Sequence, residues 1–258
     1  MKIRSAGATD VGKVRSSNED SFGVFDDLGL YVVADGMGGH AAGEVASFLA
    51  VETIHETFLA PRDASPNGSP ERTTPTGAAL APERRLVSAL EQANRRIFAA
   101  GQEDEARSGM GTTVAAVWLD GKTAHVAHVG DSRVYRVRGG DLAQITTDHS
   151  LVNDYLARGL MTPEEAIGHP MKHVLIRALG TTSAVAVDTT ALPLEPGDIL
   201  LLCSDGLSNV VPPSEIAAIL SAPDLDISVR CHGLIDAANR HGGLDNITAV
   251  LLQADTLS

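Results

Sequence analysis

Apolar residues recur along the chain in two patterns, one typical of helices and one typical of strands. Val45, Leu49 and Ile54 are spaced by about one helical turn, which predicts an amphipathic helix. Residues 28–34 are rich in apolar and β-branched side chains, which predicts a strand. The same patterns predict helices over residues 44–59, 83–100, 150–158, 163–167, 214–220 and 227–240, and strands over residues 28–34, 112–119, 123–129, 133–137, 185–192, 198–203 and 246–252.

The connections between the predicted strands indicate the fold class. Asp120-Gly121 and Gly139-Gly140 follow strand patterns and predict tight hairpin turns, and therefore antiparallel sheet. Because the helices come in pairs before and after the strands, we predict an α+β fold and not a doubly wound parallel one. Residues 61–82 are rich in Pro, Ser, Thr and Gly and predict a mobile surface loop. We expect the 258 residues to form a single domain.

The balance of charges excludes several classes of partner. The chain has 33 acidic and 20 basic residues, and its net charge of −13 argues against binding to nucleic acid or to an anionic membrane. No apolar stretch approaches the ~20 residues of a membrane span, and residues 1–5 lack the apolar core of a signal peptide. Cys203 and Cys231 are too few for a disulfide framework and are expected to be buried thiols. We therefore expect a cytoplasmic protein without a membrane span.

Four aspartates share one setting, at the end of an apolar strand pattern beside a small or turn-forming residue. They are Asp35, Asp131, Asp205 and Asp245. A single Asp-Gly pair usually marks only a turn, and Asp120 is interpreted in that way. Four carboxylates that converge at strand ends repel one another unless a cation lies among them, and oxygen ligands select Mg²⁺ or Mn²⁺. A glycine beside such an aspartate would also let backbone carbonyls approach a ligand.

An arginine near the N-terminus is a candidate phosphate ligand. Arg15 precedes Glu19 and Asp20, and an arginine close to a metal site can bind phosphate oxygens bidentately. The alternative is a solvated charged turn. Residues 7–13 have the spacing of a P-loop, but Val14 stands where Ser or Thr should bind magnesium, so we reject that motif.

A second glycine-rich segment leaves one alternative open. Residues 36–41 fit the dinucleotide fingerprint G-x-G-x-x-G/A, after a strand and before a helix. Asp35 would place its charge against a pyrophosphate, and the following strands form hairpins. A nucleotide-binding oxidoreductase is therefore kept as a minor alternative.

Six short motifs, taken together and in order, resemble a known family. They are Arg15-x-x-x-Glu19-Asp20, Asp35-Gly36-Met37-Gly38-Gly39, Gly130-Asp131-Ser132-Arg133, Thr147-Asp148-His149-Ser150, Ser204-Asp205-Gly206-Leu207 and Asp245-Asn246-Ile247-Thr248. From about residue 10 to 252 the chain resembles the bacterial branch of the PP2C-type (PPM) Ser/Thr protein phosphatases. The resemblance implies a four-layer α-β-β-α sandwich, in which two antiparallel sheets are flanked by helices.

The resemblance also implies a site with two Mn²⁺ or Mg²⁺ ions and a possible third. By position, Asp35 bridges the two core ions and the Gly36 carbonyl binds one of them. Asp205 and Asp245 complete the first ion, and Asp131 holds the third together with Asp205. The two core ions would activate a water that attacks phosphorus in line, without a phosphoenzyme.

The remaining implied roles concern the substrate and the protons. Glu19 and Asp20 would hold metal-bound waters, Arg15 would bind the substrate phosphate, and Asn246 would orient its neighbour Asp245. The implied substrates are proteins that carry phosphoserine or phosphothreonine, and the partners include a Ser/Thr kinase that the enzyme antagonises in signal transduction. A monomer is expected.

Two features depart from the wider family or extend it. Met37 stands where eukaryotic members usually place a histidine as a candidate general acid, so His40 is the substitute candidate. Residues 151–173 correspond to a flap beside the cleft in bacterial relatives. A catalytically silent phosphoprotein-binding regulator remains the competing hypothesis, although every expected metal carboxylate is present.

Overall fold

The strands of the protein fall into two sets that form two sheets. The computed structural model describes residues 2–39, 42–60, 81–166, 168–223 and 225–255. The strands in chain order are β1 (Lys2–Asp10), β2 (Asp20–Phe25), β3 (Leu30–Met37), β4 (Gly111–Thr112), β5 (Val114–Asp120), β6 (Thr123–Val129), β7 (Arg133–Arg138), β8 (Asp141–Gln144), β9 (Asp188–Pro193), β10 (Ile199–Cys203) and β11 (Ile247–Asp255).

The two sheets are antiparallel. One has the order β1-β11-β10-β7-β8, and the other has the order β2-β3-β5-β6-β9, with the short β4 paired to β3. Every strand pair that the structure describes is antiparallel. The antiparallel prediction is therefore confirmed. The oxidoreductase alternative is wrong, because its dinucleotide unit requires parallel strands.

Most of the helices lie on the outer faces of the sheets. They are α1 (Ala42–Leu59), α2 (Pro82–Glu103), α3 (Leu151–Ala157), α4 (Pro163–Ala166), α5 (Asp205–Ser208), α6 (Pro213–Leu220) and α7 (Ile227–Arg240), with a 3-10 turn at Glu105–Arg107. Pro82 begins α2, where the missing N–H of proline costs no helical hydrogen bond. The longer predicted helices are confirmed to within a few residues at their ends.

Three layers of buried side chains hold the four layers of structure together. Between the sheets, Tyr31 and Val117 of one sheet pack with Leu200 and Val250 of the other. A second apolar layer lies between β3, β5 and β6 and the helices α1 and α2. A third lies between β7, β10 and β11 and the helices α5, α6 and α7. The predicted α-β-β-α sandwich is confirmed.

The hairpin turns also agree with the sequence. β5 and β6 pair from Asp120 and Thr123 onward, and Gly121 in the turn has a φ of 62°. β7 and β8 pair at Arg138 and Asp141. The glycines are suited to these turns because only they adopt a positive φ without strain.

Three strands were not predicted from the hydrophobic pattern. They are β1, β2 and β8, and β9 begins at residue 188 and not at 185. β1 lacks a clear alternation, because its centre is a run of small residues that includes Gly7. A side chain at Gly7 would meet the Phe22 ring of β2 at 2.5 Å, so the small residue lets another strand pack there. The strand is held by nine residue pairs with β11, a tertiary contact that no local pattern reveals.

Three further expectations concern the surface loop, the two cysteines and a membrane span. Residues 61–80 of the predicted surface loop lie outside the described residues. Cys203 and Cys231 are both buried free thiols, as predicted. Within the described ranges, no helix is both long enough and apolar enough to cross a membrane.

Candidate active site

A cleft at one end of the sandwich collects most of the predicted site residues. Its volume is about 530 Å³, and its walls are Arg15, Glu19, Asp35, Gly36, Met37, Gly38, Thr113, Asp131, His173, Leu175, Asp205, Leu244, Asp245 and Asn246. All the residues predicted for the site line this cleft except Asp20, which lies behind it, and His40, which lies outside the described residues. Residues more than 200 positions apart in sequence therefore meet in one place.

Asp35 is fixed near the end of β3 by Thr113, which lies between β4 and β5. Its N–H donates to Thr113 Oγ1 at 3.1 Å, and its carbonyl accepts the Thr113 N–H at 2.8 Å. Thr113 Oγ1 also shares a 2.6 Å hydrogen bond with Ser132 Oγ, and both hydroxyls are buried. Because Ser132 follows Asp131, this hydroxyl pair sets the backbone of two acidic residues relative to each other. Thr113 was missed from the sequence.

Asp20 forms a buried hydrogen-bond network behind the cleft. Its Oδ2 accepts from Ser204 Oγ and from Thr248 Oγ1, both at 2.7 Å. Oδ1 is buried and has no hydrogen-bond partner among the described residues. Burial raises the pKa of Asp20 to about 7, although the two hydroxyls favour the charged form. A buried carboxylate oxygen without a partner marks a place where a water or an ion is needed.

Burial and mutual repulsion raise the pKa values of the cleft carboxylates. Burial first, and then the charges of Asp20 and Asp205, raise the pKa of Asp35 well above its ordinary value. Burial and the charge of Asp205 raise the pKa of Asp131 to about 7. Burial, and then the charge of Asp245, also raises the pKa of Asp205. The folded protein thus holds several negative charges that lack a compensating cation.

Two of these carboxylates come especially close together. The Asp35 and Asp205 carboxyl groups lie within hydrogen-bonding reach of each other. Asp205 occupies the first turn of α5, directly after β10, and its Oδ2 also accepts from Asn209 Nδ2 at 3.0 Å. A pair of this kind is stable when it shares either a proton or a metal ion.

Arg15 and Asp245 form an ion pair at the rim of the cleft. Arg15 Nη2 donates to Asp245 Oδ2 at 2.8 Å, and the two side chains are 53% and 36% exposed. The pair is open to solvent, so it contributes little to stability. The Arg15 guanidinium is instead accessible to a ligand that enters the cleft.

The side chain of Asn246 does not orient Asp245, contrary to the sequence-based expectation. Its Oδ1 accepts the Glu19 N–H at 2.8 Å, and its Nδ2 donates to the carbonyls of Val11 and Ser17 at 3.0 and 2.9 Å. The group of Asn246 that contacts the Asp245 carboxylate is its backbone N–H, at 2.9 Å, and not its side chain. The amide carries both donors and an acceptor, so it can hold three backbone groups at once. Asn246 therefore fixes the segment that bears Arg15 and Glu19.

Gly36 and Gly206, which follow two of the site aspartates, are required by close backbone approach. A Cβ at Gly36 would collide with the carbonyl oxygen of Gly43, and a Cβ at Gly206 would collide with that of Asn246. Neither glycine has a positive φ. The sequence interpretation linked these glycines to ligand approach, whereas the structure also places protein backbone against them.

His173 is a cleft residue that the sequence did not single out. It lies at the end of the predicted flap, is exposed, and lowers the pKa of Asp205 through its charge. The two ends of the flap are joined where Ser150 pairs with Leu175 in a β-bridge, and Leu175 also lines the cleft. No local motif marks His173, because it reaches the site only through this bridge.

The donor set of the cleft fits hard divalent cations. Its acidic side chains offer oxygen ligands, and the one arginine that lines it is outnumbered by carboxylates. In the part of the chain that the structure describes, no three His, Cys, Asp or Glu side chains converge into a complete ligand set. A metal ion here would therefore also take water and backbone oxygens, as Mg²⁺ commonly does.

Comparisons with known proteins point to one family. The family described as Protein phosphatase 2C matches residues 12–225. The chain is 39% identical over 250 residues to the serine/threonine phosphatase stp of Listeria monocytogenes, covering 96% of this chain and 94% of that protein. It is 37% identical to the crystal structure of the Mycobacterium tuberculosis serine/threonine phosphatase PstP/Ppp, with a TM-score of 0.84 and coverage of 98% and 99%. A PstP catalytic domain solved with two manganese ions is 36% identical, with a TM-score of 0.81 and coverage of 98% and 99%.

Proposed function

Because the chain belongs to the protein phosphatase 2C family, we propose that its cleft hydrolyses phosphoserine and phosphothreonine in proteins with two Mn²⁺ or Mg²⁺ ions. The observation that carries this proposal is the convergence of half-buried carboxylates from distant parts of the chain, which outnumber the one arginine that lines the cleft. Asp35 and Asp205 lie within hydrogen-bonding reach, and Asp131 and Asp245 share the same cleft. Such a group is unfavourable in a fold unless cations bind it.

Each proposed ligand comes from a rigid end of a strand or from a loop tied to one. Asp35, Asp205 and Asp245 hold the core ions, and the Gly36 carbonyl adds a backbone ligand. Asp131 serves a third ion. When bound, the ions supply an activated water and offset the charge on the phosphoryl oxygens. The antiparallel strands supply the positions, because β3 and β10 end at the same end of the sandwich.

The protein groups around the ions have separate tasks. Arg15 binds the phosphate through its guanidinium, which can donate two parallel hydrogen bonds to phosphate oxygens. Glu19 and Asp20 hold metal-bound waters, and the unpartnered Oδ1 of Asp20 supports this assignment. Thr113 and Asn246 keep the backbone of the site in place. His40 stays a prediction as the general acid.

We further propose that the enzyme acts as a cytoplasmic monomer that opposes a Ser/Thr kinase, with the chain forming one phosphatase domain. Both cysteines are free and buried, which agrees with a reducing compartment. The excess of acidic residues favours soluble protein substrates over nucleic acid.

Removal and return of the metal tests the proposed function. Protein stripped with a chelator should not hydrolyse a phosphothreonine peptide, and Mn²⁺ should restore release of inorganic phosphate. An Asp35→Ala protein, treated identically, is the control for contaminating phosphatases. If the wild-type protein with Mn²⁺ releases no more phosphate than this control, the chain is a silent phosphoprotein-binding regulator.

Arg15→Ala should raise the KM for phosphate esters roughly 10- to 100-fold and change kcat much less. A hydrogen bond to a charged group contributes about 1.5–3 kcal/mol, and a substrate clamp contributes it in the ground state as well as in the transition state. Arg15→Lys keeps the charge but loses the planar guanidinium, so its KM should lie between that of the wild type and that of Arg15→Ala.

Steady-state kinetics at saturating Mn²⁺ measure the change in KM of the Arg15 variants. The concentration of Mn²⁺ that gives half-maximal activity should be recorded for each variant, because Arg15 also contacts Asp245. Lys13→Ala, two positions away and exposed, is the matched control. An unchanged KM in Arg15→Ala would remove this residue from the phosphate site.

A further inference from the structure

Two exposed apolar residues lie on adjacent segments at the rim of the cleft. Val14 is 65% exposed and Leu244 is 59% exposed. The residues before them are joined by a hydrogen bond from the Lys13 N–H to the Gly243 carbonyl at 2.7 Å. The residues after them, Arg15 and Asp245, form the 2.8 Å ion pair. The two contacts bracket Val14 and Leu244, which we name the rim pair.

The rim pair is continuous with the proposed catalytic cleft. Leu244 lines the cleft, and Val14 directly precedes the arginine that is proposed to bind phosphate. Single exposed apolar residues are common, but an apolar surface that adjoins a binding cleft can contact a ligand. The cleft itself adds the apolar side chains of Met37 and Leu175. Its volume of about 530 Å³ leaves room for a segment of the substrate chain beside the phosphate and the ions.

We propose that the rim pair receives an apolar side chain of the substrate protein, close in sequence to the phosphorylated serine or threonine. This inference rests on the phosphatase function proposed above. In an extended substrate segment, neighbouring residues are about 3.3 Å apart. A side chain one or two positions from the phosphorylated residue therefore lies within reach of residues adjacent to Arg15.

The charge of the whole chain selects against the main competing class of substrate. The proposed ions offset the carboxylates that line the cleft, but the chain as a whole has a net charge of −13. Acidic side chains beside the phosphorylated residue would be repelled. The favoured substrate segment is therefore apolar and not acidic next to the phosphate.

A set of matched phosphothreonine peptides tests this inference. The parent peptide carries only alanine, glycine and serine around phosphothreonine. Single leucine or aspartate residues are then placed at each of the two positions on either side. With Mn²⁺ present, at least one leucine peptide should show kcat/KM about tenfold above the parent, since a hydrophobic contact of this size discriminates 10-fold or more. Aspartate peptides should fall below the parent.

Variants of the rim pair test whether Val14 and Leu244 cause the preference for leucine peptides. Val14→Ser and Leu244→Ser, singly and together, should bring the ratio of leucine to parent peptide close to one. Leu225→Ser is the matched control, because Leu225 is 44% exposed and does not line the cleft. It should keep the wild-type ratio.

The outcomes separate this inference from the proposed function. Wild-type turnover of the parent peptide without any leucine preference would overturn the rim-pair proposal and leave the phosphatase function standing. A leucine preference that survives in the double variant would also overturn it. So would a wild-type dimer, seen by analytical ultracentrifugation, that dissociates in Leu244→Ser, because the rim pair would then bind a second copy.

Discussion

Asp205→Asn is expected to abolish turnover and, at the same time, to stabilise the metal-free protein. Asn keeps the shape and the hydrogen-bonding reach of the side chain but loses the charge that binds a metal ion. We expect kcat to fall at least about a thousandfold, since one group that stabilises developing charge already contributes about 10²–10³. In the metal-free fold the same charge is unfavourable, because Asp205 lies against Asp35 and its pKa is raised by burial and by Asp245.

The stability change has a defined sign and a dependence on pH. A carboxyl group whose pKa is raised on folding favours the fold when protonated and disfavours it when charged. At neutral pH the Asn variant should therefore melt at a higher temperature than metal-free wild type, with about 2–4 °C for each kcal/mol of relieved repulsion. The difference should narrow as the pH is lowered, because Asp205 then becomes protonated.

Calorimetry with and without Mn²⁺ measures the stability of the metal-free protein and the stabilisation that the ion provides. Mn²⁺ should raise the melting temperature of the wild type and raise that of Asp205→Asn much less, because the variant has lost a ligand. Asp141→Asn, at an exposed carboxylate in the β7–β8 hairpin, is the matched control. A fully active Asp205→Asn enzyme would contradict the ligand role.

The acidic residues of the site could be predicted because each has a local signal. Asp35 and Asp205 end apolar strand patterns and precede glycine, and the strand ends converge once the sheets are antiparallel. Six ordered motifs added a resemblance that supplied the fold and the metals. These features depend on residues that are close in sequence, so they can be recognised in a single amino-acid sequence.

The residues that support the aspartates could not be predicted in the same way. Thr113 contacts Asp35 from a position more than 70 residues away in sequence, and His173 enters the cleft through a bridge between the two ends of the flap. The Asn246 amide was assigned to its neighbour, whereas its three side-chain partners lie more than 200 positions earlier. Such hydrogen bonds form between segments that only the fold brings together, so the periodicity of the sequence does not reveal them.

The two glycines beside the aspartates have a packing role that the sequence did not indicate. The sequence associated Gly36 and Gly206 with the approach of a ligand. The structure shows that protein backbone fills the space beside each of them, the carbonyl of Gly43 in one case and that of Asn246 in the other. An Asp-Gly pair at this site is therefore also a packing requirement between two segments of the fold.

Gly206→Ala should consequently damage the site from a position that binds nothing itself. The new Cβ would collide with the Asn246 carbonyl oxygen and would lie 3.3 Å from Asp245 Cβ. Both neighbours directly precede β11, and the closest contact cannot be relieved by a side-chain rotation because it is with backbone. We expect a loss of about 1–3 kcal/mol in the free energy of unfolding, the usual range for overpacking.

The effect on catalysis should exceed the effect on stability. Relief of the collision moves Asp245 and Asn246 together, and Asn246 carries with it the hydrogen bonds that position Glu19 and the segment around Arg15. A displacement of about 1 Å in a catalytic site can cost about 100-fold in rate. We therefore expect kcat/KM to fall about 100-fold and the apparent affinity for Mn²⁺ to weaken, while circular dichroism stays that of a folded protein.

Gly233→Ala in α7 provides the matched control for this change. Its new Cβ would make only an ordinary contact, 3.5 Å from Ile219 Cγ2, and alanine favours a helix by up to about 1 kcal/mol over glycine. This control should keep full activity and melt at the same or a higher temperature. If Gly206→Ala also retained wild-type activity and Mn²⁺ affinity, the Asn246 carbonyl would have room to move, and the close approach of the two segments would not be needed to hold the metal-binding aspartates together.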